Sequence, residues 1–337
     1  MSEARNISRR HFLQSSSGSL GALGVGAGSL SSLPSQAARP EREKVSAREA
    51  RVLSFTRHGF DGPDYVGEMI ERIGMAPYDV DIICLPEAFA TTAKTPEEVP
   101  GIITQRLRPV ANRLNCYIIC PLHVRKEGGV FNTAVLMDRT GEVVGQYDKI
   151  HPVSSECEAG IVPGKTPPPV FKTDFGTIGI QICFDINWME EWTSLKEQGA
   201  EIVFWTSAYV GGRNLSALAW IHKYYIVGCS RTRDPSQIYD ISGDLIAESG
   251  AWEHWAHAVL NLEKEMVEIA FYSQRLRDMK RKYGDKVSIK YFHQEDWVTI
   301  ESRSPELRIS ALLKEYEIMP HWDYIRQEKR LQDEYRG

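Results

Sequence analysis

Gly176-Thr177-Ile178-Gly179-Ile180-Gln181-Ile182-Cys183-Phe184-Asp185-Ile186-Asn187-Trp188 is the stretch whose reading decides the fold. Its isoleucines alternate with small or polar residues, which predicts a buried strand. The strand ends on a cysteine, and Asp185, Asn187 and Glu190-Glu191 then read as the start of a helix. A cysteine at a strand-to-helix elbow is placed for nucleophilic work. Adjoining N–H groups and the positive helix end would lower its thiol pKa and hold an oxyanion. A lone cysteine on an apolar strand is more often a packed side chain, so the rest of the chain must decide.

Working outward, strands and helices alternate. Residues 51–55, 80–85, 116–122, 131–137 and 143–147 read as strands upstream, with helices over 64–73 and 102–114 and a turn at Thr140-Gly141. Downstream, helices are predicted over 190–198 and 215–224, and strands over 201–205, 226–230 and 257–262. Hairpins among the parallel-type units point to a layered α/β fold rather than a purely parallel barrel. Three reactive residues stand where strands end: Glu87 in Leu-Pro-Glu-Ala-Phe, Lys149 in Tyr-Asp-Lys-Ile-His, and Cys183 itself. The loop at 154–169, with four prolines, lies between the lysine and the cysteine, and loops of that length are commonly functional.

The net charge of −5 gives no sign of a nucleic-acid partner. After the N-terminus no run of about 18 apolar residues exists to span a membrane. The six cysteines lack paired metal-ligand spacing, so neither a metal nor a cofactor is expected, and Cys116 and Cys120 read as packed. Arg9-Arg10 precede Phe12-Leu13, a weakly apolar stretch and the small-x-small site Ser35-Gln36-Ala37. That order is of an export signal over residues 1–37, similar to the twin-arginine type, and implies a periplasmic or otherwise exported protein. Residues 38–49 read as a linker and 50–272 as the main domain. Residues 273–337, rich in charge and tyrosine, read as an extension with helices over 306–316 and 322–335, expected to serve as an oligomerisation arm.

Taken in order, the contexts of Glu87, Lys149 and Cys183 resemble the nitrilase superfamily of carbon–nitrogen hydrolases, over about residues 51 to 262. Singly, Glu87 reads as a helix-start carboxylate and Lys149 as a solvated lysine; the ordered set outweighs those readings. The resemblance implies an α/β four-layer α-β-β-α sandwich that assembles as homo-oligomers. It implies Cys183 as nucleophile, Glu87 as general base, Lys149 as oxyanion stabiliser aided by the N–H of Phe184, and a further glutamate in the intervening loop. Glu156 and Glu158 are both available there, and Glu158, before Pro163-Gly164, is nearer the family pattern. Tyr209 occupies a pocket-lining segment, and Asn132 in Phe-Asn-Thr reads as structural.

The chain also departs from the family. Phe184-Asp185 replaces the Trp-Glu usual in true nitrilases, which points to amides or carbamoyl compounds. Asn187-Trp188-Met189-Glu190 replaces Arg-Phe-Pro-Glu, and the lost arginine weighs against a carboxylate-bearing substrate. The expected activity is hydrolysis of a small-molecule linear amide through an acyl-cysteine. The alternatives are an N-carbamoyl amidohydrolase and, in another class, a non-catalytic binding or scaffold protein. The superfamily's lipoprotein N-acyltransferases are embedded by membrane helices, which this chain lacks.

Overall fold

Alternating burial along the strands sorts the chain into two sheets and four layers. The computed structural model describes residues 44–56, 63–232, 235–250 and 253–337, so the expected signal lies outside the described residues. The first half runs β1 (Glu49–Phe55), α1 (Tyr65–Met75), β2 (Ile82–Cys84), α2 (Ile102–Leu114), β3 (Tyr117–Lys126), β4 (Gly129–Met137) and β5 (Val143–Asp148). The second runs α3 (Ser154–Glu158), β6 (Val170–Lys172), β7 (Thr177–Ile182), a 3-10 turn (Cys183–Asn187) and α4 (Met189–Glu197). It continues with β8 (Ile202–Ser207), α5 (Arg213–His222), β9 (Tyr225–Ser230), β10 (Gln237–Tyr239), β11 (Leu245–Glu248) and β12 (Trp255–Asn261).

One sheet has the order β12-β1-β2-β3-β4-β5 and the other β11-β10-β9-β8-β7-β6. Strand periodicity puts Ile178, Ile180 and Ile182 of β7, with Ile202 and Phe204 of β8, into one cluster with Ile82, Ile119 and Ala134 of the other sheet. The sheets therefore face each other. The opposite face of β2 and β3, with Ile83 and Ile118, packs on Met69 and Ile73 of α1 and Leu107 of α2. Val203 and Trp205 of β8 pack on Trp192 and Leu195 of α4 and Leu218 of α5. This is the four-layer α-β-β-α sandwich.

Topology gathers reactive residues at one rim. β2 and β3 are parallel, as are β7, β8 and β9. Antiparallel β4 returns the chain, so β5 ends where β2 ends, while β4 begins there.

The boundaries of the main domain move at both ends. Ser46 is buried, and the Arg48 guanidinium bonds Glu201 at 2.8 Å, so the expected linker ends inside the folded unit. The expected arm is a small module that begins before residue 273. β13 (Lys264–Glu268), β14 (Val287–Phe292) and β15 (Trp297–Ser302) form a sheet ordered β13-β15-β14, joined by α6 (Ile269–Tyr283), α7 (Ile309–Glu315) and α8 (His321–Arg336). Val267, Leu276, Met279, Val298, Ile300 and Leu312 make its own core. The predicted boundary falls within α6, and all three strands escaped notice because the chain around them is dense in Lys, Arg and Glu.

The module meets α5 through an aromatic clamp. The Lys223 ammonium, on a residue only 3% exposed, sits 3.8 Å from the ring centres of both Trp220 and Trp297. Among the described residues it donates no hydrogen bond, so the indole faces are its close partners. Burial, then nearby Lys196, pushes its pKa down to about 7. His321 of α8 packs against Trp297 with ring centres 3.5 Å apart. Trp297→Ala should lower unfolding free energy by about 3 kcal/mol, within the range for large aromatic truncations. Urea denaturation measures it, and an unchanged midpoint would show that the clamp does not hold the module.

Candidate active site

Cys183 is the first residue of the 3-10 turn, and its φ is 48°, left-handed for a non-glycine residue. Such backbone costs about 1–3 kcal/mol unless its surroundings impose it. Here they do. The Asp185 carboxylate, fully buried, accepts from the Ile182 N–H at 3.0 Å, the His151 N–H at 2.8 Å and the Tyr147 hydroxyl at 2.7 Å. The Trp205 indole N–H donates to the Cys183 carbonyl at 3.0 Å. Burial raises the Asp185 pKa to about 6 despite those donors.

The elbow differs from expectation in one respect. Helix α4 begins only at Met189, so the cysteine stands on a single tight turn instead of an α-helix N-terminus. Its thiol pKa is correspondingly raised rather than lowered. Burial is the main cause and the charge of Glu87 adds to it. Lys149, the Ser207 hydroxyl and the Ala208 N–H pull it back only in part. At neutral pH the resting group is a thiol, which needs a base to become a nucleophile.

Glu87, Lys149 and Cys183 come together as the sequence predicts. Glu87 follows β2 and is buried, with Ala88 after it at φ 45°. Lys149, 1% exposed, follows β5; its Nζ donates to Glu87 Oε1 at 3.2 Å and to Glu156 Oε2 at 2.6 Å. Burial alone would favour neutral lysine, but Glu87, Cys183 and Glu156 together hold the ammonium above the ordinary range. Gly164 helps set this strand end: its N–H donates to the Lys149 carbonyl at 2.8 Å, and an added Cβ would meet the Asp148 carbonyl at 2.2 Å.

The second carboxylate on Lys149 is Glu156, not the expected Glu158. α3 is one short helix in the proline-rich loop, and Glu158 is exposed. Two helical positions turn a side chain about 200° around the axis, so a helix that aims Glu156 at Lys149 aims Glu158 at solvent. Glu156 also accepts from the Val153 N–H at 2.9 Å and from Asn132 Nδ2 at 2.9 Å. Burial pushes its pKa up, but Lys149, Asn132 and that N–H outweigh it and leave the carboxyl below its usual value. Sequence reasoning missed Asn132's place as well. The legible signal for Glu156 was Val153-Ser154-Ser155-Glu156, a helix start with glutamate at its third position.

Phe184 and Tyr209 flank this centre. Phe184 is 37% exposed and packs edge-on against Trp188 at 5.2 Å, and Trp188 stacks on His151 at 3.7 Å. Tyr209, 40% exposed, packs edge-on against Trp205 at 5.2 Å. Burial, then the charges of Cys183 and Glu87, raises its hydroxyl pKa, which puts it within electrostatic reach of the cluster.

A sequence profile described as carbon-nitrogen hydrolase matches residues 61–264. The chain belongs to the carbon-nitrogen hydrolase family. Among relatives of this hydrolase, a β-ureidopropionase from Arabidopsis thaliana is 34% identical over 173 residues, 47% of this chain and 41% of the relative. A deaminated glutathione amidase from Synechocystis sp. (strain PCC 6803 / GT-S) is 26% identical over 219 residues, 55% of this chain and 80% of the relative. The chain thus spans less than half of the plant relative's length. In structure, Saccharomyces cerevisiae Nit3, a member of branch 10 of the nitrilase superfamily, superposes with a TM-score of 0.55 at 22% identity, covering 65% of this chain and 92% of that one. An amidase from Nesterenkonia sp. gives 0.56 at 19%, covering 72% and 98%. At those identities the likeness concerns the fold, which is that of the nitrilase superfamily. The family match stops at β13, so the C-terminal module lies almost wholly beyond it.

Proposed function

We propose that this carbon-nitrogen hydrolase cleaves a linear amide through an acyl-Cys183 intermediate. The observation that carries the reading is the buried contact of Lys149 with both Glu87 and Glu156 beside a strained cysteine elbow. The raised thiol pKa calls for a base at hand, and Glu87 fills that role. As sulfur adds to the carbonyl, negative charge grows on oxygen, and the Lys149 ammonium with the Phe184 N–H would face it. Glu87 returns the proton to the leaving nitrogen, then activates the water that clears the acyl group. The amidases among the similar proteins favour this chemistry. A carbamoyl substrate is the second reading, favoured by the ureido compound in the plant relative's name. The test is ammonia release from a panel of small amides, carbamoyl amino acids and nitriles. No release from amides or carbamoyl compounds would leave a non-catalytic protein on the same sandwich.

We also propose that residues 1–37 direct export by the twin-arginine route. Arg9→Lys with Arg10→Lys should leave the precursor in the cytoplasm, as fractionation and immunoblotting would show. Periplasmic accumulation equal to wild type would refute the assignment.

A further inference from the structure

Four side chains at the site close a ring. Asn132 Nδ2 donates to Glu87 Oε1 at 2.9 Å and to Glu156 Oε1 at 2.9 Å, while Lys149 Nζ bonds the same two carboxylates from the other side. The amide orientation follows from chemistry. Ionised carboxylates only accept, so the nitrogen must face them, and the flipped amide would set oxygen against oxygen. Asn132 is 1% exposed, and among the described residues its Oδ1 accepts no hydrogen bond, so the amide is fixed from the nitrogen side. Its backbone carbonyl accepts the Lys149 N–H at 2.8 Å, so one residue ties down both ends of the ion pair.

The two carboxylates are not equivalent within this ring. Glu156 has both oxygens engaged, Oε1 by Asn132 and Oε2 by Lys149 and the Val153 N–H. Glu87 receives both of its bonds on Oε1. Among the described residues, Oε2 of Glu87 accepts no hydrogen bond. A carboxylate whose two oxygens are unequally solvated takes a proton on the bare one, because protonating the other would break its existing bonds.

We propose that Asn132 is a positioning residue which, with Lys149, occupies Oε1 of Glu87 and so assigns Oε2 as the atom that takes the Cys183 thiol proton. This rests on the amide-hydrolase reading above. In the step, the S–H bond breaks and its electron pair forms the S–C bond to the carbonyl. The carbonyl π pair moves to oxygen, and the proton forms an O–H bond at Oε2. When the C–N bond breaks, its electron pair leaves with nitrogen, which takes the proton from Oε2. Glu156, with no oxygen to spare, serves to hold Lys149 in place.

The competing view is that Asn132 merely fills β4. Asn132→Leu keeps the approximate volume and removes both donors; Asn132→Asp keeps the shape, removes the donors and adds a charge. In whichever variant folds, kcat should fall about a hundred-fold with little change in KM, the scale of a misplaced catalytic group. The acid limb of the pH–rate profile should also move to higher pH, since the ionised carboxylate pair has lost a donor. The pH dependence of Cys183 alkylation by iodoacetamide should move the same way, and that readout needs no substrate. If the wild type hydrolyses nothing in the panel, the amide reading fails while alkylation still reports on the hold over Glu87. A folded variant with an unmoved alkylation profile overturns the role of Asn132, whatever happens to its stability.

Discussion

Cys183→Ala should reduce turnover about a million-fold, the scale seen when an enzyme loses its nucleophile, while the protein stays folded and still binds substrate. The elbow does not depend on sulfur: the Asp185 carboxylate and the Trp205 indole hold its backbone. Alanine also accepts a φ of 48° as readily as cysteine does, so the swap adds no backbone strain. Circular dichroism and a binding isotherm for an amide should match wild type, and mass spectrometry of quenched wild-type reactions should place the acyl or carbamoyl group on the peptide containing Cys183. Turnover near the wild-type rate in Cys183→Ala would end the covalent mechanism.

Much of the sandwich was legible because its strands are short, apolar and bounded by clear turn residues. Helix α2 falls at 102–114 as its spacing predicts, and Asp64, at the head of the predicted 64–73 helix, caps α1 by accepting the Gly67 N–H. The C-terminal module was not legible in this way. β14 reads Val-Ser-Ile-Lys-Tyr-Phe, and its alternation is real, but the neighbouring Lys, Arg and Glu residues signal a solvated helical arm. Its core forms only when α6 and α7 close over β13 and β15, a long-range fact that no local window contains.

Within the site, the three residues at strand ends could be read because a reactive type at the end of a strand is a local signal. The choice between Glu156 and Glu158 turns on the phase of a five-residue helix, which a loop rich in proline hides. Asn132 was read as structural because an asparagine in a strand carries no mark of its partners. Its importance lies in the register that sets β4 between β3 and β5. The sign of the thiol shift was missed for a related reason. Burial and a neighbouring carboxylate are tertiary facts, and the helix start that predicted the opposite lies at Met189.

Lys149→Met separates the electrostatic function of the ring from its structural one. Removing a cation that faces the developing oxyanion typically costs a hundred- to a thousand-fold in turnover. The same change strands the buried Glu87 and the partly buried Glu156 without their ammonium, and breaking a buried ion pair from one side costs about 3–5 kcal/mol. The two losses respond differently to pH. In the wild type the folded-state pKa of Glu156 is depressed, so its contribution to stability is present above the unfolded value near 4.5 and is lost as pH falls through the folded one. Without Lys149 the largest lowering influence is gone and burial dominates, so the folded pKa rises above the unfolded one. The sign then reverses, and the variant should be most stable in acid and weaken as pH rises toward neutrality. Urea denaturation at acid and neutral pH reads this directly. Adding Glu156→Gln to Lys149→Met removes one of the stranded charges, so stability at neutral pH should recover substantially. Turnover should not recover, because the cation facing the oxyanion is still missing. Recovery of activity along with stability would mean that Lys149 serves only to neutralise its carboxylates, and would remove it from the chemistry.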